Sequence, residues 1–236
     1  MKNIVDYPSS SDEETENPTL KRKLIPELKQ TSSKKMPKLP SFFGDSTKPE
    51  SSDGTGKKRT VPHASNSWAT YVYFQVDFTD EKEKLVNYCT GLEPIQEQHI
   101  SLSRTVYLKH HQLDMFVTSV RNAIQNMKSF DISFAQTACL TNDENTRSFL
   151  TLEIGNGYIQ LLDYMKQINK VMKEYKQPIF YNPPRFHTSI GWALNKDTVT
   201  SIEIPQPCLN PITSRLFYLS RLYIKQGHYI HHIDLQ

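Results

Sequence analysis

The chain has 236 residues, with 28 Lys and Arg against 25 Asp and Glu and a mean hydropathy of −0.58. No apolar run approaches the roughly 20 residues that a bilayer crossing needs, and no N-terminal signal-peptide core is visible, so neither a membrane span nor secretion is expected. Three widely spaced cysteines, Cys89, Cys139 and Cys208, argue against both a disulfide framework and a thiolate zinc site and point to a reducing compartment.

Residues 1–65 hold seven of the fourteen prolines and almost no periodic apolar positions. Such a segment cannot bury enough surface to offset its ordering entropy, and a disordered basic, Ser- and Pro-rich tail is expected. It carries 12 basic and 9 acidic residues, whereas residues 66–236 carry 16 of each, so the whole excess of +3 lies in the tail. The clusters Lys21-Arg22-Lys23, Lys34-Lys35 and Lys57-Lys58-Arg59 suit nuclear localisation or nonspecific RNA contact, and equally an ordinary solvated tail.

From Trp68 onward strands and helices alternate. Tyr71 to Phe78 is aromatic and β-branched and reads as a strand, Glu81 to Tyr88 as a short helix, and Ile100 to Leu108 as one strand. Leu113, Phe116, Val117, Val120, Ile124 and Met127 mark one helical face over 112–127. Ile132 to Leu140 and Ser148 to Ile154 read as paired strands joined through Thr141 to Asn145. Ile159, Leu162, Met165, Ile168, Val171 and Met172 mark a second helix over 158–175, which Pro178 and the Pro183-Pro184 pair close. Arg215 to Ile224 and Tyr229 to Ile233 form a final hairpin turning at Gln226-Gly227.

Two tripeptides stand out from this pattern, His99-Ile100-Ser101 and His187-Thr188-Ser189, 88 positions apart. Each lies in an alternating stretch, so each His should share a strand face with its Ser. Two such strands side by side would surround one small pocket with two imidazoles and two hydroxyls. Imidazole can give or take a proton near neutral pH, so the pair forms a general acid and base without metal. The hydroxyls suit the non-bridging oxygens of a phosphate. One copy of such a tripeptide arises easily by chance; two in matched contexts favour phosphodiester chemistry over ordinary sheet-end residues.

Paired His-x-Ser/Thr motifs resemble those of the 2H phosphoesterases, and specifically the branch that processes the 3′ end of U6 small nuclear RNA. The resemblance rests on His99 to Thr105 followed by His110-His111 and an amphipathic helix, and on Phe180-Tyr181-Asn182-Pro183-Pro184-Arg185-Phe186-His187-Thr188-Ser189-Ile190-Gly191-Trp192. It runs from about Trp68 to the C-terminus. It implies an α+β, two-lobed 2H phosphoesterase fold with pseudo-two-fold symmetry, antiparallel sheets flanked by helices and a site in the groove between the sheets. It also implies a metal-independent 3′–5′ exoribonuclease acting on a uridine-rich RNA 3′ end, as a nuclear protein of mRNA splicing. No cofactor or metal and a monomeric state are expected.

In RNA the 2′-hydroxyl adjoins the phosphodiester, and a base that deprotonates it makes it the nucleophile. One imidazole is then the base and the other, protonated, the acid, while Ser101 and Ser189 hold phosphate oxygens as charge builds. The product is a 2′,3′-cyclic phosphate, which water can open to a 3′-phosphate. The residues alone leave the two histidine roles open; the resemblance favours His187 as base and His99 as acid. Tyr181 either stacks on the terminal base, as the resemblance implies, or packs on its own domain. Arg104 either neutralises a phosphate or forms a surface ion pair. His63, His110, His111, His228, His231 and His232 read as bystanders, since no acidic or cysteine ligand accompanies them at a recognised spacing. The family's final hairpin carries Gly-Asn-Lys, whereas this chain has Gly227-His228-Tyr229, which leaves a substrate contact there in doubt. Two other functions fit the same pattern: a 2H enzyme on a cyclic nucleotide, tRNA-splicing intermediate or 2′-5′ oligoadenylate, and a noncatalytic RNA-binding module.

Overall fold

The structure, a computed structural model, describes residues 66–236. The expected tail, its basic clusters and His63 lie outside the described residues.

Strand β1 (Trp68–Gln75) is the centre of the first sheet. Its even positions Val72 and Phe74 are fully buried, and its odd positions Tyr71, Tyr73 and Gln75 face the other way, the period-two alternation that makes a two-faced strand. One edge of β1 pairs antiparallel with β10 (Arg221–Gln226), which pairs in turn with β11 (Tyr229–Asp234). Along its other edge lie two short strands end to end, β3 (His99–Ser101) and β4 (Val106–Leu108).

The single strand expected over 100–108 is therefore broken, and Ser103 supplies the reason. Its buried Oγ accepts the Val72 N–H at 2.9 Å, taking the place of a strand carbonyl, while Leu102 N–H still reaches Val72 O. The side chain satisfies the ladder so that the backbone can turn away.

The second sheet runs β2 (Glu93–Pro94), β8 (His187–Ala193), β7 (Ser148–Ile154) and β6 (Phe134–Thr141), all antiparallel. Close approach of β2 is possible because position 191 is glycine: a Cβ there would lie 3.2 Å from Glu93 O. Ile95 N–H then bonds Ile190 O in the second sheet, and Val76 N–H bonds Gln98 O beside the first. Residues 93–101 thus pass from one sheet to the other. Strands β5 (Phe130–Ile132) and β9 (Phe217–Leu219) form a separate pair.

Helix α1 (Thr79–Val86) follows β1, and α2 (Leu113–Ile124) and α3 (Tyr158–Glu174) pack against each other. Phe74 from the first sheet meets Tyr164 of α3 edge to face at 5.1 Å, and Phe116 of α2 meets Tyr175 at 5.2 Å. The buried stripe of α3 is Leu161, Tyr164, Met165, Ile168, Val171 and Met172. Ile159, expected on that stripe, is 64 % exposed. It lies in the first turn, two positions before Leu161, and so about 200° around the helix from it.

No element was expected between Trp192 and Arg215, but two short helices occur there, α4 (Lys196–Thr200) and α5 (Gln206–Thr213). Asn195 caps α4 by accepting Asp197 N–H. Prolines 205, 207 and 211 mask α5 from a reading by composition, although Pro207 lies in the first turn, where a missing N–H costs nothing.

Candidate active site

His99 and Ser101 leave β3 on one face, and His187 and Ser189 leave β8 on one face; the two strands lie against each other although they belong to different sheets. All four side chains are half-buried. Each histidine is oriented in the same way. His99 Nδ1 is 3.3 Å from Glu97 O, and His187 Nδ1 is 2.7 Å from Arg185 O, in both cases the carbonyl two residues earlier. A carbonyl only accepts, so Nδ1 carries the hydrogen and Nε2 of the neutral ring is left bare for chemistry.

Burial depresses the pKa of His99; the carbonyl and charge of Glu97 partly oppose this, and Lys225 adds to the depression. Burial also depresses His187, partly offset by the Arg185 carbonyl bond, with the charges of Arg185 and His99 pushing further down and Glu153 pushing up. Both shifts favour the neutral imidazole. An anionic phosphate between the rings would restore a proton to one of them. No hydrogen bond among the described residues engages the Ser101 or Ser189 hydroxyl, so both are free to donate.

A bulge at Ile190 shifts the β7–β8 register, pairing Thr151 with Ser189 and Glu153 with His187. Glu153 also accepts from Arg185 Nε at 2.9 Å and from Arg185 Nη2, and Gln136 Nε2 reaches its other oxygen at 3.1 Å. Burial alone would raise this carboxyl, but the bonds from Gln136 and Arg185 outweigh it and hold it below the usual carboxylate range. Arg185 is thus fixed at both ends, its side chain by Glu153 and its carbonyl against His187. Motif reading did not single out Glu153 or Gln136, because they lie 34 and 51 positions before His187 and only the ladder brings them beside it.

Opposite charges on the two partners make a signed expectation. Glu153→Gln should lower the His187 pKa further, by removing its anionic neighbour, and Arg185→Gln should raise it. A proton NMR titration of His187 in each variant checks this; shifts of the same sign in both would show that the pair acts only through shape.

Tyr181 and Arg104 come together as well. The guanidinium lies 4.0 Å from the Tyr181 ring centroid, Tyr181 OH donates to Asp143 Oδ2 at 3.2 Å, and Arg104 Nη2 is 3.4 Å from the same oxygen. Arg104 therefore makes an ion pair, with Asp143 of the β6–β7 loop, and its buried Nε has no partner. Tyr181 is 42 % exposed, with Arg104 over its ring and the Phe180 ring T-shaped to it at 5.4 Å.

On the His99 side, Tyr73 stands edge-on to the imidazole at 5.5 Å, and Tyr71 lies at 6.0 Å. Burial, with smaller effects from the charges of Tyr71, Glu97 and Tyr223, pushes the Tyr73 phenol up to about 12, so it stays neutral. The aromatic pattern of β1 marked these tyrosines as strand residues, and only the pairing of β1 with β3 puts them at the site. His110, His228 and Tyr229 surround Trp68 on the same sheet and do not join the pair. Among the described residues no group of three His, Cys, Asp or Glu side chains is placed to hold a metal ion, and no helix is long and apolar enough to cross a membrane.

Two antiparallel sheets with helices, each contributing one His-x-Ser strand to a shared site, define a domain of the 2H phosphoesterase fold. A solved structure of Kluyveromyces marxianus Usb1 superposes with a TM-score of 0.56 at 16% identity, covering 72% of this chain and 98% of that one, and a second carries uridine monophosphate. Residues 34–234 match the family model HVSL, described as an uncharacterised conserved protein, and the chain belongs to that family. It is 32% identical over 147 residues to U6 snRNA phosphodiesterase 1 of Rattus norvegicus, covering 59% of this chain and 55% of that protein. The Xenopus laevis protein of the same name is 31% identical over 199 residues, covering 81% and 79%. The chain thus spans little more than half of the rat relative.

Proposed function

We propose that the chain is a metal-independent 3′–5′ exoribonuclease that trims the uridine-rich 3′ end of U6 snRNA in the nucleus, as a monomer, in support of mRNA splicing. The observation that carries this reading is the matched anchoring of His99 and His187, each with Nδ1 on a carbonyl and Nε2 free. The names of the relatives and the uridine nucleotide in the Kluyveromyces structure support the substrate.

In this reading His187 removes the proton from the 2′-hydroxyl of the penultimate sugar. The 2′-oxygen bonds to phosphorus, the bond from phosphorus to the 5′-oxygen of the terminal nucleoside breaks, and His99 protonates that oxygen. Ser101 and Ser189 donate to the non-bridging oxygens as their charge grows. The base role goes to His187 and the acid role to His99 on the resemblance of their motifs; burial and a nearby cation, Arg185 for His187 and Lys225 for His99, disfavour the proton on both rings, and the substrate phosphate restores it to one of them. The exposed Tyr181 ring stacks on the leaving uracil, with Arg104 beside it. The shortened RNA ends in a 2′,3′-cyclic phosphate, which water can open.

Oligouridine and oligoadenine RNAs with free 3′-hydroxyls, incubated in EDTA and analysed by mass, test the proposal. Uridine-ended RNA should be shortened one residue at a time to cyclic-phosphate ends without added metal. Activity lost in EDTA and restored by magnesium, manganese or zinc would overturn the metal-free mechanism.

A further inference from the structure

The face of the first sheet that carries His99 and Ser101 does not end at β3. Register continues it across three more strands: Ser101 pairs with Tyr73, Tyr73 with Tyr223, and Tyr223 with His232, while Tyr71 pairs with Lys225. Paired residues share a face of a sheet. The opposite face is Val72, Phe74, Ile100, Leu222, Ile224 and Ile233, all core. The site face is instead half-buried at Tyr71, Tyr223 and Lys225 and exposed at His232.

Its chemistry is aromatic and basic. Tyr73 stacks on Tyr223 at 5.5 Å and lies 5.2 Å from Tyr71, so the buried Tyr73 ring forms a floor between two more accessible ones. Lys225 lies near enough to His99 to disfavour its protonation. Among the described residues no salt bridge engages Lys225, whereas Arg104, Arg185 and Arg221 are paired with Asp143, Glu153 and Asp234.

We propose that Tyr71, Tyr223 and Lys225 form a docking track for the single-stranded RNA on the 5′ side of the cleaved bond. This rests on the reading of the site as an RNA phosphodiesterase. One upstream base stacks on the exposed tyrosine surface and one upstream phosphate meets Lys225, while the leaving nucleoside occupies Tyr181. The track is continuous with the His-Ser pair, and its charge complements a phosphodiester backbone. It supplies a few contacts only, which matches a domain with equal numbers of acidic and basic residues.

The test compares a uridine dinucleotide with hexauridylate in the full chain. Tyr223→Ala and Lys225→Gln should each reduce the hexamer-to-dinucleotide ratio of kcat/KM by about fivefold or more, while Tyr223→Phe keeps it. The ratio cancels any effect of Lys225 on His99, since both substrates meet the same histidine. Binding of a hexamer made uncleavable by a penultimate 2′-deoxy sugar is measured in parallel by fluorescence anisotropy. It should weaken in both variants, and the salt slope should shrink by roughly 0.7 in Lys225→Gln. An unchanged ratio, or equal loss on both substrates, overturns the track. If wild-type protein cleaves neither RNA, the phosphodiesterase reading fails by itself, and unaltered hexamer binding in the variants would then overturn the track separately.

Discussion

His99→Ala and His187→Ala should each reduce RNA cleavage by on the order of 10²–10⁴-fold, the usual worth of one positioned proton-transfer group. The loss should fall on kcat, because each imidazole does its work as the proton moves, and substrate affinity should change far less. The fold should survive both changes. Each ring is half-buried, and its strand is held by backbone pairing that Ala retains, β3 to β1 and β8 to β7. Circular dichroism and thermal unfolding of each variant separate lost chemistry from lost structure. More than about a tenth of wild-type turnover in either variant would contradict the acid and base assignment. The double variant should be little worse than the worse single one, since either loss already disables the concerted transfer.

The site was legible where its logic is local. A His and a Ser two positions apart on an alternating strand announce a shared face, and β3 and β8 carry both pairs as that alternation implies. Tyr181 and Arg104 were singled out separately, each as a lone side chain with two readings. Their contact with one another and with Asp143 depends on three loops meeting, which no spacing encodes. Glu153 and Arg185 were opaque for the same reason, since a ladder with a bulge decides that Glu153 faces His187. The helices over 112–127 and 158–175 were visible from their apolar period, and the misplacement of Ile159 shows the limit of that signal. An apolar residue in a first turn satisfies the period loosely, and the core takes Leu161 and Tyr164 instead. The break at Ser103 was invisible because a side chain there does the work of a backbone carbonyl.

An RNA whose penultimate nucleotide is 2′-deoxy should keep its terminal residue, while one with a terminal 2′-deoxy sugar should be trimmed at close to the normal rate. The asymmetry follows from the nucleophile. The attacking 2′-oxygen belongs to the sugar on the 5′ side of the cleaved bond. Removing that oxygen leaves His187 with no proton to take, so the expected effect is loss of the reaction and not a change in KM. The deoxy substrate should still bind, since the stacking face of Tyr181 and the donors Ser101 and Ser189 do not depend on the missing hydroxyl, and it should therefore inhibit cleavage of ordinary RNA. Product mass followed over time in ¹⁸O-water distinguishes the routes: internal attack gives first a cyclic phosphate with no oxygen from solvent, which takes up ¹⁸O only if it is later opened, whereas direct water attack gives a labelled acyclic phosphate with no cyclic precursor. Trimming of the penultimate-deoxy RNA at the ordinary rate would rule out internal attack and would reassign the free Nε2 of His187 to a water nucleophile in the same pocket.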